Sequence, residues 1–151
     1  MSQALTTLSE DEQMFKDAIL SFADSEIRPH VEEMDETEQL NKELLPKLFE
    51  MGIMGVELPE NHGGTGGSFF MSILAVEALA TVDPAISVLV DVQNTLVNNV
   101  FMNFANKEVQ DKYMPLLASS KVGCYCLTEP NSGSDAFALE TQAKEAVMII
   151  F

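Results

Sequence analysis

Basic residues, cysteines and tryptophan are scarce in this sequence. Its 151 residues include no tryptophan and two cysteines, and only 8 basic residues oppose 24 acidic ones, for a formal net charge of −16. A surface of that sign repels phosphate backbones and anionic lipid headgroups, so we expect binding to neither nucleic acid nor membranes. Asparagine or aspartate interrupts the apolar runs before they reach the length of a membrane span. We therefore expect a soluble chain.

The remaining composition is typical of a globular domain. Hydrophobic residues make up 46% of the chain and charged residues 21%, as in ordinary folded proteins of one domain. Many of the acids lie between Glu10 and Glu38. We interpret them as a solvated helix face, and an acidic docking surface for a basic partner is the alternative.

The two cysteines, Cys124 and Cys126, are separated by one residue. On a strand this spacing directs both thiols to one face, which is poor geometry for a disulfide between them. His30 and His62 are far away in sequence, so no metal site is expected. We interpret the cysteines as small buried thiols in a reducing compartment. Residues 1–9 show no features of a signal or transit peptide.

The hydrophobic spacing predicts five helices. The first begins at a capping box formed by Ser9 and Glu12, and Pro29 ends or kinks it. Asp83 is a good N-cap with Pro84 at the first helical position. The helices are expected at residues 9–28, around 42–51, from 68 to the stop at 83, at 85–106 and at 107–118, with a polar connection at 32–39.

Two polar features interrupt this helical pattern. Gly63, Gly64, Gly66 and Gly67 resemble a phosphate loop, but neither a Gly-Lys-Ser/Thr sequence nor the third glycine of a dinucleotide fingerprint follows. We interpret them as a structural turn, with a ligand-edge loop as the alternative. The sequence Gln-Asn-Thr at 93–95 lies in an otherwise apolar helix. Hydrogen bonds between helices explain these three residues, or they line a pocket.

From residue 122 the pattern changes to that of a strand. Val122 to Leu127 is apolar at nearly every position, which is typical of a strand buried on both faces. Its end at Thr128 presents backbone N–H and C=O groups and a hydroxyl that suit the edge of a flat heteroaromatic ring. Glu129 precedes a proline and more often braces a turn than moves protons. From the residues alone, the loop that follows is a turn or a ligand edge.

The loop and its flanks carry a specific resemblance. The stretch C-L-T-E-P-N-S-G-S-D-A-F-A, residues 126–138, resembles the signature of the acyl-CoA dehydrogenases. Four further stretches are similar to the same family, and to its short/branched-chain members above all: L-F-E-M-G-I-M-G-V-E (48–57), G-G-T-G-G-S-F (63–69), V-E-A-L-A-T-V-D (76–83) and Q-N-T-L-V-N (93–98). The similarity spans residues 8–144.

The resemblance implies a fold and an activity. Family members have an N-terminal all-helical domain, a middle β domain and a C-terminal four-helix domain, and they form homotetramers with one FAD per subunit. They oxidise acyl-CoA to trans-2-enoyl-CoA: a glutamate removes the α-proton, the β-hydride passes to the flavin, and an electron-transferring flavoprotein accepts the electrons. The relatives most resembled are mitochondrial matrix proteins, and a cytoplasmic location stays open.

The resemblance also implies site residues. The FAD-binding residues, with Leu127 and Thr128 at the isoalloxazine edge, are expected to be Tyr125, Cys126, Leu127, Thr128, Gly133 and Ser134. Ser134 is also expected to touch the acyl-CoA, and Gln93, Asn94 and Leu96 are expected near the acyl pocket. No catalytic residue is expected in this chain, because the glutamate base belongs to the family's C-terminal helices. Glu129 belongs to the signature, where it is structural.

The similarity ends after Lys144. We therefore interpret the sequence as a fragment that is mainly α: residues 1–120 form the helical domain, and residues 121–151 are the first strand or strands of a truncated β domain. One hypothesis makes it part of a flavin-dependent dehydrogenase that is inactive alone. The alternative is a non-catalytic helical chain that pairs with full-length subunits or another partner. An acidic helical interaction module is a third hypothesis.

Overall fold

The regular structure is helical throughout the part of the chain that the computed structural model describes, residues 7–144. The first helical segment consists of α1, Glu10–Phe22, a π-helical turn Ala23–Ile27, a 3-10 turn Arg28–His30 and α2, Val31–Thr37. The other helices are α3 (Leu44–Glu50), α4 (Phe69–Ala80), α5 (Pro84–Asp91), α6 (Asn99–Phe104) and α7 (Lys107–Ser119). A π-helical segment, Val92–Asn98, joins α5 to α6 without a break, and 3-10 turns form at Ile53–Gly55 and Glu60–His62.

Side-chain caps begin the helices where the sequence predicts them. The backbone N–H of Glu12 donates to Ser9 Oγ at 3.3 Å, and the N–H of Ser9 donates to Glu12 Oε2 at 2.8 Å. Asp83 Oδ1 accepts the N–H of Ala85 at 2.7 Å and that of Ile86 at 3.1 Å. Each cap satisfies N–H groups that the first turn of a helix cannot pair internally. The predicted capping box and the predicted Asp83 cap are confirmed.

Helix α2 was not expected from the sequence. Its residues, Val31–Thr37, are mostly acidic and none is fully buried. Only Val31 and Met34 pack against the core, partly buried, and two apolar positions are too few to predict a helix. The 3-10 turn Arg28–His30, with Pro29 near its start, leads directly into this helix. Two glutamates in its first turn interact favourably with the helix dipole. It ends at Glu38, which has a left-handed backbone with φ of 54°.

The main core lies where α4 packs against both α1 and α5. Its buried residues come from α1 and the π-helical turn after it, from α3, α4 and α5, and from the connections that follow α3 and α4: Ile19, Ala23, Ile27, Leu44, Leu48, Ile53, Met54, Val56, Ala75, Ala78, Leu79, Val82, Ile86 and Val90. A smaller cluster of Leu58, Val97, Met114, Leu117 and Ala118 joins the π-helical segment to α7. The described helices thus form a closed hydrophobic core, and none of them is long and apolar enough to cross a bilayer.

The predicted strand at residues 122–127 does not form within the described chain. These residues are irregular, and residues 7–144 contain a single isolated β-bridge, between Glu129 and Ser132. A strand requires a partner strand, and residues 7–144 supply none. Cys124 and Cys126 are exposed, so their interpretation as buried thiols is wrong. Residues 145–151, which the predicted β domain includes, lie outside the described part.

Candidate functional site

The glycine-rich turn at 63–67 uses its own amides. The N–H of Gly64 donates to Pro59 O at 3.2 Å, that of Gly66 to Leu58 O at 3.0 Å and that of Gly67 to Val56 O at 2.7 Å. A phosphate loop needs such amides free to face its ligand. A Cβ on Gly64 would also lie 2.1 Å from Leu58 O, so the glycine permits close backbone approach. The interpretation as a structural turn is confirmed.

Asn94 lies on the π-helical segment and holds the connection that follows α3. Its side chain is 1% exposed. Nδ2 donates to Ile53 O at 2.7 Å and to Val90 O at 2.9 Å, and Oδ1 accepts the N–H of Val56 at 2.9 Å. These bonds pair backbone groups that would otherwise be buried without partners. The predicted hydrogen bonding to another element is confirmed for Asn94, whereas Thr95 Oγ1 donates to Asp91, four residues earlier in the same helical stretch.

Gln93 makes equivalent bonds on the other side of the same segment. It is fully buried. Nε2 donates to Leu117 O at 2.9 Å and to Lys121 O at 3.0 Å, and Oε1 accepts the N–H of Gly123 at 2.8 Å. Both amide hydrogens and the carbonyl oxygen of the side chain therefore have partners. Gln93 connects the end of α7 to the chain that leads into the signature loop.

Asn98 is a third buried amide that the sequence analysis did not single out. Its Nδ2 donates to Met54 O at 2.9 Å, while Oδ1 is buried without a partner among the described residues. The available signal was the four-residue interval between Asn94 and Asn98, which places both on one helix face. The π-helical segment thus presents three amides to two separate stretches of backbone.

All six residues expected to border the flavin are exposed: Tyr125, Cys126, Leu127, Thr128, Gly133 and Ser134. Within residues 7–144, no backbone N–H or C=O of residues 124–128 has a hydrogen-bond partner. Exposed donors and acceptors of this kind, together with the Thr128 hydroxyl, fit one edge of a flat ring that carries donors and acceptors itself. No contact here tests the assignment of these six residues to FAD, which stays a prediction.

The signature loop is closed by its own hydrogen bonds. Glu129 and Ser132 exchange two backbone bonds, at 2.9 and 3.1 Å, and Ser132 Oγ donates to Asp135 O at 2.8 Å. The Glu129 carboxylate accepts the backbone N–H of Glu140 at 2.7 Å and that of Thr141 at 3.2 Å. Hydrogen bonds from Thr141 and Glu140 lower the pKa of Glu129 below its ordinary value. Glu129 therefore braces the loop, as predicted.

The residues expected on the substrate side do not form one cluster. Gln93 and Asn94 are buried, whereas Leu96 is 38% exposed. Leu96 continues into an exposed apolar stripe at four-residue spacing, in which Val100 is 38% and Phe104 is 84% exposed. No hydrogen bond within the described chain joins Ser134 to Gln93, Asn94 or Leu96. Their assignment to the substrate stays a prediction.

A cavity of about 840 Å³ lies elsewhere, between α2 and the start of α5. Its apolar lining comes from Val31, Met34, Leu40, Pro84, Ile86 and Leu89. None of the predicted flavin or substrate residues lines it. The candidate site is therefore an exposed edge beside the π-helical segment, and the cavity belongs to a different part of the domain.

The fold and the loop together define a helical domain that ends in a segment bearing a flavoprotein dehydrogenase signature. A family model described as acyl-CoA dehydrogenase, N-terminal domain, matches residues 9–121. The chain belongs to the acyl-CoA dehydrogenase family. The fold class expected from the resemblance, mainly helical, is confirmed.

Individual relatives agree with this membership. The chain is 51% identical over 141 residues to a probable short/branched chain specific acyl-CoA dehydrogenase of Dictyostelium discoideum, covering 93% of this chain and 34% of the relative. It is 40% identical over 139 residues to a mitochondrial short/branched chain specific acyl-CoA dehydrogenase of Bos taurus, covering 92% and 32%. The chain thus spans about a third of the length of these curated relatives.

A solved structure shows the same arrangement of helices. The glutaryl-CoA dehydrogenase of Mycobacterium smegmatis in complex with FADH2 superposes with a TM-score of 0.82 at 28% identity. The superposition covers 87% of this chain and 34% of that one. The described helices therefore correspond to one helical portion of a larger flavoprotein.

Proposed function

We propose that this chain forms the N-terminal part of an FAD-dependent dehydrogenase that converts short or branched-chain acyl-CoA to trans-2-enoyl-CoA. The observation that carries the proposal is the exposed segment at 124–128, whose backbone groups have no partner within residues 7–144 and directly precede the braced signature loop. Two relatives, at 51% and 40% identity, are short/branched chain specific enzymes, which supports this substrate class.

The proposed roles follow the geometry of the segment. Residues 125–128 supply backbone groups to one edge of the flavin, Gly133 leaves open space beside it, and Ser134 lies next to the acyl-CoA. Apart from its two chain neighbours, no described residue lies within 4 Å of a Cβ built on Gly133, which leaves room for a ligand. When bound, FAD supplies the acceptor for the β-hydride. The glutamate base is assigned to the C-terminal helices of a full-length subunit, because hydrogen bonds hold Glu129 in the loop.

The partners and compartment are proposed on the same grounds. A mitochondrial relative supports a matrix location, and the family supports an electron-transferring flavoprotein as electron acceptor and a homotetramer as the assembled form. The exposed stripe of Leu96, Val100 and Phe104 supports burial against further protein, because contiguous apolar surface at this spacing marks an interaction face.

Flavin binding is tested by the visible absorption spectrum of the 151-residue chain after gel filtration with excess FAD. The proposal expects a flavin band that co-elutes with the protein. Thr128→Val removes the hydroxyl at the predicted flavin edge and is expected to weaken retention. Thr37→Val is the matched control, because the Thr37 hydroxyl is exposed on α2 and donates within that helix, to Glu33 O. A colourless helical protein would overturn flavin binding by this chain.

A second candidate function is a non-catalytic chain that pairs with full-length subunits. The closed core supports it, because such a core lets the helical domain fold without further chain. Gel filtration of a mixture with a full-length short/branched-chain enzyme tests it. Phe104→Asp is expected to abolish co-elution, whereas Met14→Asp, on exposed α1 surface, is expected to leave it intact. Elution of a strictly separate monomer would count against this candidate.

A further inference from the structure

The π-helical segment Val92–Asn98 carries the predicted acyl-side residues and also contacts the chain that leads to the predicted flavin edge. The two features lie three residues apart on this segment, at Gln93 and Leu96. Gln93 bonds to Gly123, and Leu96 begins the exposed stripe. The relative placement of the two sides therefore depends on how firmly residue 123 is attached to this helix.

Two contacts attach it. The first is the hydrogen bond from the N–H of Gly123 to Gln93 Oε1, at 2.8 Å. The second is close packing, because a Cβ on Gly123 would lie 2.3 Å from Val97 Cγ1. Val97 is 5% exposed and belongs to the smaller core. Polar and apolar contacts thus hold the same residue.

The remaining bonds of Gln93 hold the residues just before Gly123. Nε2 donates to Leu117 O and Lys121 O, which lie at and beyond the last turn of α7. Carbonyls at a helix C-terminus lack partners within the helix, so the Gln93 amide satisfies a group that would otherwise be buried unpaired. One side chain therefore fixes both the end of α7 and the departure of the chain from it.

We infer that Gln93 is a positioning residue, which sets the place of the flavin-edge segment relative to the acyl side of the π-helical segment. This inference rests on the proposed function. Tyr125 follows Gly123 by two residues, a span of about 7 Å at full extension. Because this link is short, a displacement of Gly123 is expected to move residues 125–128 as well. The role differs from direct contact with substrate, since both amide hydrogens of Gln93 are occupied by backbone carbonyls.

The test uses Tyr125 as a reporter. The chain has no tryptophan and two tyrosines, so Tyr113→Phe leaves Tyr125 as the only strong intrinsic fluorophore. That substitution retains the ring contact with Phe101, whose centroid lies 5.7 Å away. In this background Gln93→Met, which is unbranched and of similar size, is expected to lower the fluorescence anisotropy of Tyr125. It is also expected to speed hydrogen exchange at the Gly123 amide about tenfold.

Asn98→Leu is the matched control. Asn98 lies on the same π-helical segment and is equally buried, but its side chain bonds to Met54 and not to the junction, meaning the residues 117–123 that Gln93 holds. Asn98→Leu is expected to lower the free energy of unfolding without changing the fluorescence anisotropy of Tyr125 or the hydrogen exchange of the Gly123 amide. Unchanged signals in Gln93→Met, or equal changes in Asn98→Leu, would overturn the inference.

A second measurement covers the case in which Gln93→Met does not fold. In the unaltered chain, the Gly123 amide is expected to exchange about tenfold more slowly than the amides of Tyr125 and Leu127. Equal exchange rates would overturn the inference. FAD retention is scored separately: in a chain that retains FAD, Gln93→Met weakens retention and Asn98→Leu does not. Absence of retention in the unaltered chain counts against the proposed function, and the exchange and anisotropy results still decide the role of Gln93.

Discussion

Asn94 Oδ1 accepts the backbone N–H of Val56, 38 residues earlier, at 2.9 Å. The side chain thus takes the place that a backbone carbonyl of a neighbouring strand would have. The same amide donates to Ile53 O at 2.7 Å. One side chain thus satisfies a donor and an acceptor of a buried connection that has no sheet or helix to pair them. The stability of that connection depends on Asn94.

We expect Asn94→Ala to destabilise the fold. It leaves two buried backbone groups unpaired, at about 1–3 kcal/mol for each. Urea denaturation followed by circular dichroism measures the change. Asn103→Ala is the control, because Asn103 is exposed and bonds only within its own helix, to Asn99; its effect is expected to stay within about 0.5 kcal/mol. Equal losses for the two variants would contradict this role of Asn94.

Gly123→Ala is expected to force the junction away from the π-helical segment. The added Cβ would lie 2.3 Å from Val97 Cγ1, and overpacking of this kind costs about 1–3 kcal/mol. Thermal unfolding measures the loss. Gly133→Ala serves as control, because nothing lies within 4 Å of a Cβ there. If the two alanine variants melt together, the close packing of Gly123 is not what holds the junction.

Acid is expected to loosen the signature loop. Hydrogen bonds from Thr141 and Glu140 lower the pKa of Glu129, so its contribution is present above the ordinary glutamate range, near pH 4.3. That contribution is lost as the pH falls through the lowered value. Hydrogen exchange at the amides of Glu140 and Thr141, compared above and below this range, shows whether the brace opens.

Glu129→Gln is expected to open the same brace at neutral pH, since an amide oxygen accepts more weakly than a carboxylate. Glu140→Gln is the control, because it leaves the backbone N–H of residue 140 in place. The prediction is wrong if the amide of residue 140 keeps its protection in Glu129→Gln.

The ion pair between Glu26 and Lys47 is expected to give a second pH dependence. Lys47 Nζ lies 2.6 Å from Glu26 Oε2 and joins the end of the α1 segment to α3. Lys47 lowers the pKa of Glu26, and Glu26 raises the pKa of Lys47. The stabilisation is therefore complete between the ordinary glutamate and lysine ranges. It fades as the pH falls through the lowered Glu26 value or rises through the raised Lys47 value.

Lys47→Met measures this contribution against Lys42→Met, since Lys42 is exposed on the adjacent stretch. The stability difference between the two variants is expected to shrink in acid and at high salt, which screens exposed pairs. A difference that is independent of both would show that Lys47 acts through packing of its alkyl chain instead.

The helix ends were predictable because they depend on local chemistry. Helix starts are predicted by residues close together in sequence, here Ser9 with Glu12 and Asp83 with Pro84. Helix α2 was missed because its mostly acidic sequence has only two apolar positions, Val31 and Met34. The π-helical character of Val92–Asn98 also has no local signal in the sequence, since its amides find their partners in distant loops.

The segment at 122–127 shows a different limit. Its composition favours a strand, but a strand exists only with a partner, and residues 7–144 contain none. The same dependence explains why Cys124 and Cys126 are exposed although their sequence context predicts burial. For the site, the role of Glu129 in the loop was predictable from the proline that follows it. The junction made by Gln93 and Gly123 was not, because it joins residues 30 apart.

The hydrogen bonds of Asn94 and Asn98 also determine when one part of the fold can form during synthesis. Ile53 leaves the ribosome 41 residues before Asn94, and Met54 leaves it 44 residues before Asn98. Ile53 O, Met54 O and the N–H of Val56 therefore emerge before their side-chain partners, and they can gain them only after residues 94–98 have been translated. During that interval α1, α3 and α4 are available to begin collapse, whereas the backbone groups of Ile53, Met54 and Val56 that bond to Asn94 and Asn98 must wait. A pause in translation before residue 94 would thus yield a nascent chain with formed helices and an unanchored loop.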